Sequence, residues 1–364
     1  MRCTRRYSSR SLVCFVGFVA FAMFAPQAQA QPFAYIPNSA SDNVSVVDTA
    51  SDTEIATVAV GTRPIVVAIT PDGTRAYVTN SNSNTVSVIA TFDNSVIATI
   101  GVGSNPNGVA VTPDGSRVFV MNTDANTISV IATATNTVIG MIGGLGTSPA
   151  GVAITPDGSR AYVTNAGSSS VSVVDIGTNT VVATIGVGMN ALGIAITPDG
   201  SRAYVANNLS GSVSVIDIAT NTVVTTIAMF QPVAVAVSPD GSRAYVTNSS
   251  ETFGSVSIID TASNTVGATI VIGPNAQGVA MAPDGSRAYA VSFGSDSVWV
   301  IDTATNSVIT SVPVGSAPVG VAVTPGIGPP TAKDQCKRGG WRTFSLPRTF
   351  KNQGECVSFV NTGK

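Results

Sequence analysis

Histidine is absent from all 364 residues of the chain. Imidazole acid–base catalysis, Ser/His/Asp triads and histidine-ligated metals are removed together. Carboxylates, arginines, amides and cysteines are left to do any chemistry. Asp72, Asp114, Asp157, Asp199, Asp240 and Asp284 each stand in a Pro-Asp-Gly turn. Proline presets φ there, glycine takes the conformation other residues resist, and Asp bonds its own backbone, so these read as turn formers rather than calcium ligands. Asp42, Asp124, Glu251 and Asp296 are scattered elsewhere, in loops that also carry Phe253 and Phe293. Arg75, Arg117, Arg160, Arg202, Arg243 and Arg287 follow the turns, and each is expected to pack or pair within its own unit rather than join an anion ring. Gly143-Gly144-Leu145-Gly146 has the look of a phosphate loop, but no helical pattern follows to hold a phosphate. No cofactor and no metal site is expected.

The ends of the chain carry different signals. Residues 1–30 read as a secretion signal: Arg2, Arg5, Arg6 and Arg10 head an apolar run from Leu12 to Ala25, and Ala28-Gln29-Ala30 supplies small residues for cleavage. Arg5-Arg6 invites a twin-arginine reading that the following residues fit poorly. The run is short for a transmembrane helix, so no membrane anchor is expected after cleavage. The mature chain should lie outside the cytoplasm, whether secreted, periplasmic or at the cell surface. Beyond the signal only Cys336 and Cys356 remain, and in an exported chain they read as one disulfide worth roughly 3 kcal/mol. Residues 31–330 hold 18 acidic and 7 basic side chains, whereas residues 331–364 hold 2 and 7. An acidic body speaks against nucleic acid as a partner.

These residues hang on a repeat. Gly108-Val109-Ala110-Val111-Thr112, a Pro-Asp-Gly turn and Arg117-Val118-Phe119-Val120-Met121-Asn122 form a strand, a turn and a second strand. Copies recur about every 42 residues, among them Ala76-Tyr77-Val78-Thr79-Asn80, Ala161-Tyr162-Val163-Thr164-Asn165 and Ala244-Tyr245-Val246-Thr247-Asn248. Each unit holds four strands, A to D; in the second they are Val66 to Thr70, Ala76 to Asn80, Val86 to Ile89 and Ser95 to Ile100. The half-unit at Ala34-Tyr35-Ile36-Pro37-Asn38 lacks an A strand, and that at Val319 to Thr324 lacks the rest. Joined, they close a seventh unit. An all-β, seven-bladed propeller of four-stranded antiparallel blades follows, with the small residues of strand A placing it innermost. The divisions are residues 1–30 (signal), 31–325 (propeller), 326–332 (Pro/Gly linker) and 333–364 (cysteine-bearing tail).

The Tyr-Val-Thr-Asn strand after Pro-Asp-Gly resembles the YVTN family of β-propeller repeats over residues 33 to 325. That resemblance implies a propeller in an exported or surface protein, usually with no established activity. The tail around Cys336-Lys337-Arg338-Gly339-Gly340-Trp341 and Gly354-Glu355-Cys356 resembles a cysteine-paired segment ending many secreted bacterial proteins.

Antiparallel order puts the A–B and C–D turns at one end of the propeller and the B–C and D–A loops at the other. The first end is uniform and the second varies, so the second is the candidate for binding. Arg63, Asn105, Asn107, Asn190, Gln231, Asn275 and Gln277 precede or open the A strands and are the expected ligand contacts at the channel mouth, with no catalytic residues. Amides orient a polar ligand by hydrogen bonds but shuttle no protons. The expectation is a non-catalytic binding or scaffold protein for a protein, peptide or glycan, with attachment to the cell envelope left open. The alternative is a lactonase-like metal-dependent hydrolase using the channel mouth, as in some seven-bladed propellers.

Overall fold

The computed structural model describes residues 32–325, so the signal, the linker, the tail and the Cys336–Cys356 pair lie outside the described residues. Seven four-stranded antiparallel sheets stand in a ring. Blade 2 is representative: A is Pro64–Ile69, B Arg75–Asn80, C Thr85–Ala90 and D Ser95–Gly101. Strand A begins two residues earlier than the sequence pattern suggests, because Pro64 pairs with Asn80 ahead of a bulge before Val67. The C and D strands of every blade are offset by a second bulge, as between Val88 and Ile89. A bulge of this kind adds twist. Blade 1 is the composite one. Its A strand, Ala322–Val323, pairs antiparallel with Phe33–Asn38, so the two half-units close the ring.

The core lies between blades. Strand B is apolar on both faces because a sheet covers each side: Ala76, Tyr77, Val78 and Thr79 are all fully buried. Tyr35, Val44 and Val46 of blade 1 pack with Val67, Ala76, Val78 and Ile89 of blade 2. Outer strand D has one covered face and reads exposed-to-buried in alternation, as in Thr180–Gly186.

The recurring motif residues hold one blade to the next. Tyr162 Oη donates to Asn221 Oδ1 at 2.6 Å and Tyr204 Oη to Asn264 Oδ1 at 2.8 Å, each reaching the C–D turn of the following blade. Thr79 Oγ1 donates to Asn107 O at 2.7 Å and Thr164 Oγ1 to Leu192 O at 2.6 Å, tying strand B to the next inner strand. The arginines depart from the sequence expectation. Arg117 Nη1 donates to Ile176 O at 3.0 Å, Arg243 Nη1 to Thr303 O at 2.7 Å and Arg287 Nη1 to Thr49 O at 2.8 Å, all in the following blade. Arg75 reaches Thr133 O likewise, and Arg202 pairs within its own blade, with Asp217. The stagger of neighbouring sheets brings the next turn under each guanidinium, a relation that one repeat read alone does not contain.

Candidate functional site

The two ends of the propeller are built by different means. At the uniform end each turn aspartate folds back on its own turn. Asp240 Oδ1 accepts from Ser238 Oγ at 2.5 Å, Ser242 N at 3.0 Å and Ser242 Oγ at 2.9 Å. Those bonds, the one from Ser238 first, hold its carboxyl down at about 2. Its oxygens serve the turn.

At the variable end, Arg63, Asn105, Asn190, Gln231 and Asn275 occupy one recurring position with left-handed φ, between 37° and 56°. Asn tolerates that region better than most residues, so the amides there have a backbone cause. The loops that alternate with them clamp the turns. Arg63 N–H donates to Asp42 Oδ1 at 2.8 Å, Asn105 N–H to Asn84 Oδ1 at 2.9 Å and Ala317 N–H to Asp296 Oδ1 at 2.8 Å. The side chains of Arg63 and Gln231 are exposed; Asn105 Nδ2 donates to Asp124 Oδ1 at 3.1 Å.

Inside this end the seven A strands enclose a cavity of ≈ 350 Å³. Its outermost ring is Ile65, Asn107, Ala150, Leu192, Val233, Gln277 and Val319. Of the seven contacts expected from sequence, the structure brings Asn107 and Gln277 to the cavity, on blades 3 and 7 across the ring. Arg63, Asn105, Asn190, Gln231 and Asn275 stand outside its lining. The ring closes tightly because Gly108 and Gly151 carry no side chain: a Cβ would meet Ala150 O at 2.2 Å and Leu192 O at 2.4 Å.

Beside this mouth lies a feature that sequence reasoning largely missed. Met189, Leu209, Phe230, Phe253 and Phe293 are 57, 69, 66, 71 and 41% exposed. All five sit in D–A or B–C loops leading into or belonging to blades 5 to 7, next to Leu192 and Val233 of the ring. The loops of blades 1 to 3 instead present Asp42, Arg63 and Asp124. The variable face is therefore apolar on one side and polar on the other. The signal in the sequence is a large apolar residue standing among Asn, Ser and Gly, and of the five only Phe253 and Phe293 stand out there. Among the described residues no three His, Cys, Asp or Glu side chains gather at metal-binding spacing.

A family model described as the cytochrome D1 heme domain matches residues 114–232, about a third of the chain. Among solved structures, hydrazine synthase of Kuenenia stuttgartiensis is 25% identical with a TM-score of 0.65, over 71% of this chain and 88% of that one. A functionally unknown protein of Desulfotomaculum acetoxidans is 21% identical with a TM-score of 0.71, over 80% of this chain and 99% of that one. A protein of Bacteroides uniformis described as a 6-phosphogluconolactonase is 17% identical with a TM-score of 0.69, over 81% of this chain and all of that one. No curated protein matches the sequence. The chain is a seven-bladed β-propeller similar to these proteins in fold.

The haem that the family description names does not fit this cavity. Haem iron is held by His, Cys, Met or Tyr. The lining contains none of these, and no Arg or Lys to meet propionates.

Proposed function

We propose that the protein is an exported, non-catalytic propeller of the YVTN type that binds a protein or peptide partner through the variable face. The observation that carries this reading is the exposed apolar arc of Met189, Leu209, Phe230, Phe253 and Phe293 beside an apolar channel mouth. Exposed aromatic side chains on loops of a rigid scaffold are typical anchors of an interface. An apolar side chain of the partner enters the cavity, whose volume falls in the range of small ligand pockets. Asn107 and Gln277 meet the polar backbone on either side of it. Export rests on the sequence of residues 1–30; among the described residues no helix is long and apolar enough to cross a membrane.

The test is selection from a displayed peptide library on immobilised protein. Wild type should enrich peptides with an aromatic or large aliphatic anchor, and Phe230→Ser/Phe253→Ser should lose them at least tenfold. Equal enrichment by both proteins would place binding elsewhere. The lactonase alternative makes a different demand: lactone hydrolysis by purified protein, abolished by a chelator and restored by a divalent cation.

A further inference from the structure

The blade-to-blade arginine is missing from one junction. In six blades strand B opens with arginine, from Arg75 to Arg287; in blade 1 the same position is Phe33. The consequences fall on three groups. Asp48 is the cross-strand partner of Phe33, where Asp217 and Asp302 have Arg202 and Arg287 opposite them. Thr91 O of blade 2, the counterpart of the Thr133, Ile176 and Thr303 carbonyls, receives only the Tyr35 hydroxyl, at 3.4 Å. Asp93 binds Ser95 in its own turn and has no cationic partner among the described residues. Burial and then the charge of Asp93 push the Tyr35 hydroxyl up, with no arginine to oppose them, whereas Arg75, Arg160, Arg202 and Arg287 each oppose the rise of their own tyrosines.

The described chain ends at this same junction. Phe33 N–H donates to Thr324 Oγ1 at 2.7 Å, and Thr324 N–H to Phe33 O at 2.8 Å. Thr324-Pro325 corresponds to Thr70-Pro71, so the chain leaves on the face of the Pro-Asp-Gly turns. Charge changes sign just past that point: residues 31–332 contain no lysine, and Lys333, Lys337 and Arg338 follow within a short stretch. Eight residues from Pro325 to Lys333 span at most about 29 Å. A four-stranded sheet is about 15 Å across, so the C–D turns of blades 1 and 2 are within reach.

We propose that a basic residue of the segment 333–338 folds back onto its own propeller and takes the place of the missing arginine, between Asp48 of blade 1 and Asp93 of blade 2. The tail then completes in cis the one junction that the repeats leave without its cation. It does so at the point where the ring is closed by two short strands.

The absence of lysine from the body makes the test direct. Zero-length carbodiimide coupling of the 31–364 chain joins lysine amines to carboxylates, and every lysine amine belongs to the tail. The expected main product links Lys333 or Lys337 to Asp48 or Asp93. It should form within single molecules when ¹⁴N and ¹⁵N proteins are mixed, and fall at least fivefold in 0.5 M salt and in Asp48→Asn/Asp93→Asn. Lys333→Ala/Lys337→Ala should abolish it with an unchanged circular dichroism spectrum, since both lie outside the propeller. Links spread over the turns of blades 3 to 6, links only between molecules, or none from these lysines would each overturn the proposal.

Discussion

Gly108→Ala puts the packing of the inner ring to the test. The new Cβ would stand 2.2 Å from Ala150 O and 3.2 Å from the Gly151 Cα. An ordinary carbon–oxygen contact is about an ångström longer, and the obstacle is backbone, which cannot rotate away. Blade 3 must therefore move from blade 4, in a ring with no open edge to absorb the shift. Overpacking of this kind costs about 1–3 kcal/mol. Val66 and Ala234 fill the same position in blades 2 and 6, so the fold accepts a side chain where the next strand stands off. The middle of the range, about 2 kcal/mol, is the expectation, and for a large domain that lowers Tm by about 5 °C. Gly101→Ala is the control. It sits on outer strand D with nothing within 4 Å of the added atom. There the substitution should stabilise by about 0.5 kcal/mol through the unfolded chain. Differential scanning calorimetry of the two variants decides it. A Gly108→Ala protein melting within a degree of wild type would show that inner-strand spacing is not set by this contact.

Other perturbations address the links between blades and the turns. Tyr162→Phe removes the bond to Asn221 and should cost about 1 kcal/mol in urea unfolding, whereas Tyr245→Phe, whose hydroxyl has no partner among the described residues, should be neutral or slightly stabilising. Asp240 is held down at about 2 in the folded state. A depressed carboxylate adds stability that is present above its unfolded pKa of about 4 and lost as pH falls through about 2. Asp240→Asn should therefore melt below wild type at pH 7, with the gap closing by pH 2; a gap independent of pH would mean that the charge contributes nothing.

Most of the architecture is legible because the chain states it seven times. Alternation in Thr-Val-Val-Ala-Thr-Ile, the Pro-Asp-Gly turn and the small residues of strand A each carry one structural instruction, and repetition removes ambiguity. What escapes is whatever depends on the neighbouring blade. Arg117 and Ile176 are 59 residues apart, and only the stagger between sheets brings them together. The amides before strand A suggest ligand contacts, yet their shared duty is a left-handed backbone. Arg63 and Gln231 at the same position hide that pattern, because neither residue type favours such a φ. The apolar arc escapes for a third reason. Leu209 and Phe230 are single exceptions in their loops, and only the ring arrangement shows that they adjoin.

Closure of the ring yields the last expectation. Ala322–Val323 supplies the inner strand of blade 1, and Val319 N–H donates to Pro37 O at 3.0 Å to extend that attachment. Val319, Gly320 and Val321 also complete the wall of the central cavity. A chain ending at Pro318 lacks all of these residues and leaves strand B of blade 1 as an open edge facing the axis. It also uncovers Ile36 and Val298, which pack in the cluster that Val321 and Val323 cover. An exposed edge of this kind recruits other strands, so this truncation should aggregate or melt without cooperativity. A chain ending at Pro325 keeps every described strand. It should melt as one transition within a few degrees of the full chain, because a single surface ion pair from the tail is worth at most about 1 kcal/mol. The comparison separates the two contributions of the C-terminal region. If the chain ending at Pro318 melts like the one ending at Pro325, the ring is not closed by these residues.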